Sequence, residues 1–129
     1  MKYLIDSDFF FGLIVSVDAH HKNCIKLLKK HVNNGDELVA LNLVIQETAT
    51  VISNRRSQNE AVTFLEELTK IPVEIMSLTR EDEELACNVF KKQTKKRTSF
   101  IDCANLAVCQ KYKLDGILSF DEFYKYAKN

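Results

Sequence analysis

Three observations predict an α/β fold built on a short parallel sheet. Apolar runs of strand length alternate with amphipathic stretches of helix length, and such alternation implies crossover connections between parallel strands. Punctuation is sparse: Pro72 is the one proline and there are three glycines, which favours many helices. The chain has 129 residues, which suits one domain with its own hydrophobic core. The expected architecture is a single-domain (1–129), three-layer α/β/α sandwich with a four- or five-stranded sheet.

The elements follow in order. Lys2 to Ile5 reads as a short apolar strand, followed by a helix from Ser7 or Asp8 through Val15. Asp18 is placed to cap the next helix, in which Cys24, Ile25, Leu28 and Val32 recur at helical spacing. Asn33-Asn34-Gly35-Asp36 stops it, since glycine accepts the left-handed conformation at a helix end. Leu38 to Leu43 reads as the second strand and Val44 to Asn54 as a helix. Arg55-Arg56-Ser57 breaks it, and Gln58 to Thr69 resumes with Ala61, Leu65 and Leu68 on one face. Val73 to Met76 is a third strand, entered through Pro72. Thr79 and Asp82 have capping-box spacing, opening a helix with Leu85, Ala86, Val89 and Phe90 inward. Lys91 to Thr98 reads as a polar loop. Ser99 opens a helix with Ile101, Ala104 and Val108 on one stripe. Gly116 to Ser119 is a fourth strand and Asp121 to Ala127 a last helix.

Composition narrows the class. Apolar content of 46% and charged content of 28% describe a chain that folds. Formal net charge is zero, so any affinity for nucleic acid must come from a local patch. No apolar stretch is long enough to span a bilayer, and Met1 to Asp6 is not a signal peptide, so no membrane is expected and a cytoplasmic location is the default. Cys24, Cys87, Cys103 and Cys109 include no Cys-x-x-Cys pair and read as reduced, buried thiols. His20 and His21 are adjacent, so a helix would point them apart; with His31 they read as surface or core filler. Phe9, Phe10, Phe11, Leu13 and Ile14 exceed what one amphipathic helix needs. Core burial is the safer account, an interface the alternative.

The chemistry resides in four acids at the edges of apolar runs: Asp6, Glu47, Asp102 and Asp121. Each has a structural explanation of its own. Asp6 suits a helix cap, Glu47 a helix-dipole partner, and Asp102 a capping box with Ser99. Asp121 sits in a first helical turn, beside a Ser119–Glu122 capping box. Their joint arrangement carries the functional reading. Strand C-termini and helix N-termini share one edge of a parallel sheet, where ligands bind. Four carboxylates there repel unless something positive sits among them. Carboxylate oxygens are hard ligands suited to Mg²⁺ or Mn²⁺.

The stretches Tyr3-Leu4-Ile5-Asp6-Ser7-Asp8, Leu43-Val44-Ile45-Gln46-Glu47, Ser99-Phe100-Ile101-Asp102-Cys103-Ala104 and Ile117-Leu118-Ser119-Phe120-Asp121 resemble, in order and spacing, the PIN domain family. Within it they resemble the small VapC-like toxins of bacterial and archaeal toxin–antitoxin pairs, over essentially the whole chain. The resemblance implies a PIN-like fold and an endoribonuclease dependent on Mg²⁺ or Mn²⁺. It maps the family's acids onto Asp6, Glu47, Asp102 and Asp121, with Ser7 and Ser119 as supporting hydroxyls. It implies an RNA substrate, a small antitoxin that occludes the acidic pocket, and often a homodimer. One position departs: the family often has Asn where this chain has Asp8. Asp8 is either an added ligand or a cap facing away from the site, and aspartate's capping preference favours the cap.

On this reading Asp6 and Asp102 are the first choice as metal ligands, with Glu47 and Asp121 completing the shell or orienting water. Lys91, Lys92, Lys95, Lys96 and Arg97 precede Asp102 and could track a phosphate backbone, or form an ordinary solvated loop. Arg55, Arg56, Lys111 and Lys113 add charge. Two rivals stand. One is a catalytically inert PIN-like module that binds RNA or protein. The other is a haloacid-dehalogenase-like phosphatase, since Asp6-Ser7-Asp8 matches its Asp-x-Asp start. That family also needs a downstream acidic pair; Asp115 lacks an adjacent partner, and Glu81, Asp82 and Glu84 read as a helix start.

Overall fold

A computed structural model describes residues 1–127. The elements are β1 (Lys2–Ile5), α1 (Ser7–Ile14), α2 (His21–Asn33), β2 (Glu37–Leu41), α3 (Asn42–Arg55) and α4 (Gln58–Leu68). They continue with β3 (Val73–Met76), α5 (Arg80–Lys92), α6 (Phe100–Lys111), β4 (Gly116–Leu118) and α7 (Phe123–Ala127). The four strands pair in parallel in the order β3-β2-β1-β4. The expected α/β fold with a parallel sheet is therefore observed, with four strands.

The strand order positions everything else. The chain steps outward from β1 to β2 to β3, then returns past β1 to place β4 on its other side. Right-handed crossovers put α1 to α4 on one face of the sheet and α5 to α6 on the other. The order reverses at β1, so a crevice opens between the C-terminal ends of β1 and β4. There Asp6 N donates to Leu118 O at 3.1 Å, which extends the β1–β4 ladder to the first acid.

The inner strands β1 and β2 are fully apolar where they enter the core: Leu4, Ile5, Val39, Ala40 and Leu41 are buried. Continuous apolar runs are what a sheet covered on both faces requires. Phe9, Phe10 and Leu13 of α1 are buried too, and Phe11 and Ile14 pack against them, so this cluster belongs to the core. Cys24, Cys103 and Cys109 are buried and Cys87 is half-buried, and among the described residues no cysteine is in a disulfide.

Several boundaries differ from expectation. β2 ends at Leu41, because Asn42 already starts α3. Asp18 does not cap α2; the helix starts at His21, and Asp18 Oδ2 accepts from His20 N within the preceding turn. On α4 the buried face is Ala61 and Phe64, and Leu65 is exposed. Phe90 likewise faces outward, where its ring meets that of Phe100. Lys91 and Lys92 lie in the last turn of α5, where cations suit the helix dipole, so the loop is shorter than Lys91 to Thr98. The Ser119–Glu122 capping box does not form. Ser119 Oγ accepts from Asp121 N, Asp121 Oδ1 accepts from Phe123 N, and α7 starts only at Phe123.

The expected capping boxes at Thr79–Asp82 and Ser99–Asp102 are both present. Asp82 is buried and holds the far end of α6. Its carboxylate accepts from Lys111 Nζ at 2.7 Å and from Tyr112. Burial pushes its pKa up, but the bonds from Lys111 and Thr79 outweigh this and hold it down at about 2. Lys111 is thus committed at the opposite end of α6 from Asp102.

Gly12 lets α1 approach α2. A Cβ there would lie 2.6 Å from Sγ of buried Cys24. Gly12→Ala is expected to cost about 1–3 kcal/mol, the usual range for overpacking. Urea unfolding should show this loss, with part of it recovered in Gly12→Ala/Cys24→Ala. A Gly12→Ala protein as stable as the parent would show that the two helices can part freely.

Candidate active site

Asp6 follows the last residue of β1, caps α1 and is almost fully buried. Oδ1 accepts from Ser7 N at 2.8 Å and from Asn105 Nδ2 at 3.1 Å. Oδ2 accepts from the hydroxyls of Ser119 (3.1 Å) and Tyr124 (3.0 Å). The Tyr124 hydroxyl also lies 3.3 Å from Asp102 Oδ1, which joins the two acids, and it accepts from Asn105 Nδ2. Asp102 is held in turn by the Ser99 capping box at the start of α6.

Asp8 faces this group, contrary to the expectation that it caps a helix and points away. Its Oδ2 accepts from Phe120 N at 2.9 Å and from Ser119 Oγ at 3.2 Å. The cap is supplied by Asp6, which leaves Asp8 free to turn toward the end of β4. Ser119 is therefore the hub between Asp6, Asp8 and Asp121.

Electrostatic coupling completes the grouping. Burial raises the Asp6 pKa from about 3.8 to about 7; Asp8 and Asp102 add to the rise, and Ser7 N and Tyr124 oppose it. Asp8 is raised by burial and by Asp121, against bonds from Phe120 and Ser119. Asp102 is raised by burial and by Asp121, against bonds from Ser99 and Tyr124. Glu47, in α3, is raised by burial, Asp102 and Asp8, with the Ser7 hydroxyl opposing. Burial and the two neighbouring acids push the Tyr124 phenol far up, so it stays protonated and donates.

Asp121 sits at the rim, with Lys95 Nζ 3.6 Å from its Oδ1. Among the described basic residues, Lys95 alone is paired with one of the four acids. Lys96 and Arg97 are exposed on the same loop. Arg56 is engaged by Glu60. Arg55 lies over the Phe11 ring and lines a cavity of about 270 Å³ with Ser7, Asp8, Asp18, Glu47 and Thr48.

The donor set fits a hard divalent cation. All the acids are carboxylates, and Asp8 Oδ1 and Glu47 Oε2 are buried with no hydrogen-bond partner. Among the described residues, however, no three acidic, thiol or imidazole groups converge as a preformed ligand set. Tyr124 and Asn105 were not anticipated. Each lies three residues beyond a predicted acid (Asp121 and Asp102), and Asn105 is one helical turn beyond Asp102 on α6. That spacing was the available signal, masked by the apolar run around Asn105 and by the ordinary use of tyrosine in cores.

A parallel α/β sheet with Asp6, Asp8 and Asp102 linked through Ser119 and Tyr124 at its C-terminal edge defines an α/β protein with an acidic cluster at the topological switch point. The PIN domain family model matches residues 3–129, and the chain belongs to that family. Among solved structures it is similar to Mycobacterium tuberculosis VapC20, described as a sarcin–ricin loop cleaving toxin. The TM-score is 0.82 at 22% identity, covering 97% of this chain and 94% of that one. It is also similar to VapBC2 of Rickettsia felis, solved bound to a DNA fragment from its promoter. There the TM-score is 0.67 at 12% identity, covering 98% of this chain and 92% of that one. At these identities the likeness establishes the fold. No curated protein matches the chain.

The raised acids set a pH dependence. Folded Asp6 keeps a proton that the unfolded chain releases above its ordinary pKa near 3.8. Stability of the metal-free protein should therefore fall as pH rises from about 4 to about 7, and level off above it. Urea unfolding in chelator across this range should show the fall, shallower in Asp6→Asn. An equal slope in both proteins would contradict the assignment.

Proposed function

We propose that this chain is a metal-dependent endoribonuclease using Mg²⁺ or Mn²⁺, and the toxin of a toxin–antitoxin pair. The observation that carries the reading is the joining of Asp6, Asp8 and Asp102 through Ser119 and Tyr124, with Glu47 and Asp121 alongside. Two unpartnered buried carboxylate oxygens there suit a cation. The structural relatives supply the biological setting, since one is described as a sarcin–ricin loop cleaving toxin and the other as VapBC2 bound to promoter DNA.

A bound divalent ion supplies an activated water and charge stabilisation at the phosphoryl group. Asp6 and Asp102 are the first candidates to hold it, with Glu47, Asp8 and Asp121 near enough to share the task. Ser119, Tyr124 and Asn105 fix the orientation of Asp6, and Ser7 steadies Glu47. Lys95, with Lys96 and Arg97 beside it, meets the phosphate backbone at the rim. Lys91 and Lys92, on the last turn of α5, extend that charge. Specificity for one RNA then rests on shape and unpaired bases.

The phosphatase reading lacks its downstream acidic pair, since Asp82 is buried against Lys111 and Tyr112 at the end of α6 opposite Asp102. In the toxin reading the partner is a small antitoxin that covers the acidic site, the toxin pairs into a homodimer, and the protein acts in the cytoplasm. Among the described residues no helix is long and apolar enough to cross a membrane.

Cleavage of RNA in Mn²⁺ is expected from the parent protein. Asp102→Asn should lose on the order of a hundredfold or more, since even outer-shell changes around a metal cost about 10–100-fold. Equal cutting by both would reject the site, and no cutting by either would favour an inert binding module. A second readout is thermal. Mn²⁺ at about 100 times its Kd should stabilise the parent by about 2.7 kcal/mol, and Asp102→Asn much less.

A further inference from the structure

The adjacent histidines do different things. His21 turns inward, with Nδ1 2.8 Å from Gly12 O on α1. His20 turns outward and its backbone is pinned on both sides. Its N donates to Asp18 Oδ2 at 3.0 Å, and its O accepts from Cys24 N at 2.8 Å. Its ring lies flat on Phe120, with centroids 3.8 Å apart and planes 10° apart. Phe120 in turn stacks over buried Phe9, at 6.3 Å and 17°. Three near-parallel rings thus form a column rooted in the core.

The column stands beside the acids. Phe120 lies between Ser119 and Asp121, and its N–H is bonded to Asp8. His20, the outermost ring, is exposed to solvent. An aromatic ring held rigidly, with one face on a partner and the rest open, is what an unpaired base needs for stacking. It also answers a difficulty of the site. A carboxylate-lined pocket repels a polyanion, so affinity must come in part from contacts that do not depend on charge.

We propose that His20 is a stacking platform for an unpaired base of single-stranded RNA, next to the scissile phosphate. This rests on the ribonuclease reading above. The platform selects single strands, because a base inside a duplex has no free face. It acts on binding, so its loss raises KM and leaves kcat largely intact.

Binding is measured in the Asp102→Asn background, so that substrate survives, with oligo(A) and with its oligo(U) duplex as probes. His20→Ala should weaken oligo(A) binding about tenfold, within the roughly 5- to 150-fold range for losing one stacked base, and leave duplex binding unchanged. His20→Phe should bind like the parent. His20→Leu should behave like His20→Ala, which separates stacking from mere cover of Phe120. Equal affinities for oligo(A) across these variants, in a parent that cuts RNA, would overturn the platform and leave the ribonuclease reading intact. Binding that depends on His20 in a parent that cuts no RNA would support the platform and overturn the ribonuclease reading. A protein that neither binds nor cuts would overturn both.

Discussion

Asp6 is a carboxyl group held almost out of water with two others beside it, and much of the site follows from how that is tolerated. A buried charge is costly unless it is hydrogen-bonded or neutralised. Both oxygens are saturated by donors, and all of those donors are neutral: a backbone N–H, an amide, a serine and a tyrosine. Among the described residues no lysine or arginine bonds to Asp6. The fold thus orients the carboxyl group without cancelling its charge, and leaves that to protons or to a cation. A lysine in place of Tyr124 would settle the charge permanently and leave nothing for a metal to do.

Topology explains why these acids meet although they are about a hundred residues apart. Because β4 returns to the far side of β1, the turn after β4 faces the turn after β1. The N-termini of α1 and α6 lie at the same edge; Asp6 is the N-cap of α1, and Asp102 completes the Ser99 capping box of α6. The structural reading of both residues is observed, and the function proposed above uses the same two carboxylates. The partial positive charge at a helix start lowers the cost of gathering carboxylates there. The capping bonds also fix the directions of the side chains.

This double use decides what could be read from sequence. The placement of Asp6 was legible because it ends the apolar run of β1, and that of Asp102 because it has capping-box spacing from Ser99; Glu47 lies within α3, so the apolar run before it is helical and not a strand. Asp8 was misjudged because capping preference is a local rule, and Asp6 had already met it. What turns Asp8 inward is Phe120 N, 112 residues along, which no local pattern reports. Tyr124 and Asn105 were hidden for a related reason. A polar atom in an apolar helix looks like core packing until the tertiary partner is known. The errors at Leu65 and Phe90 are of the same kind. Several residues fit each helical stripe, and only neighbouring elements decide which are buried.

Charge distribution leads to a last consequence. The net charge is zero, and several cations are spent on structure: Lys111 on Asp82, Arg56 on Glu60, Arg55 over Phe11. Those left at the rim sit on the short loop that carries Lys95, Lys96 and Arg97. On the ribonuclease reading proposed above, these three cations would neutralise few phosphates, and counterion release scales with that number. Lys95 is itself drawn toward Asp121, so part of its field is already used. A cation among the acids would change this balance twice, by removing repulsion at the pocket and by releasing Lys95 toward phosphate. Substrate binding and metal binding would then be coupled through charge, without any movement of the fold.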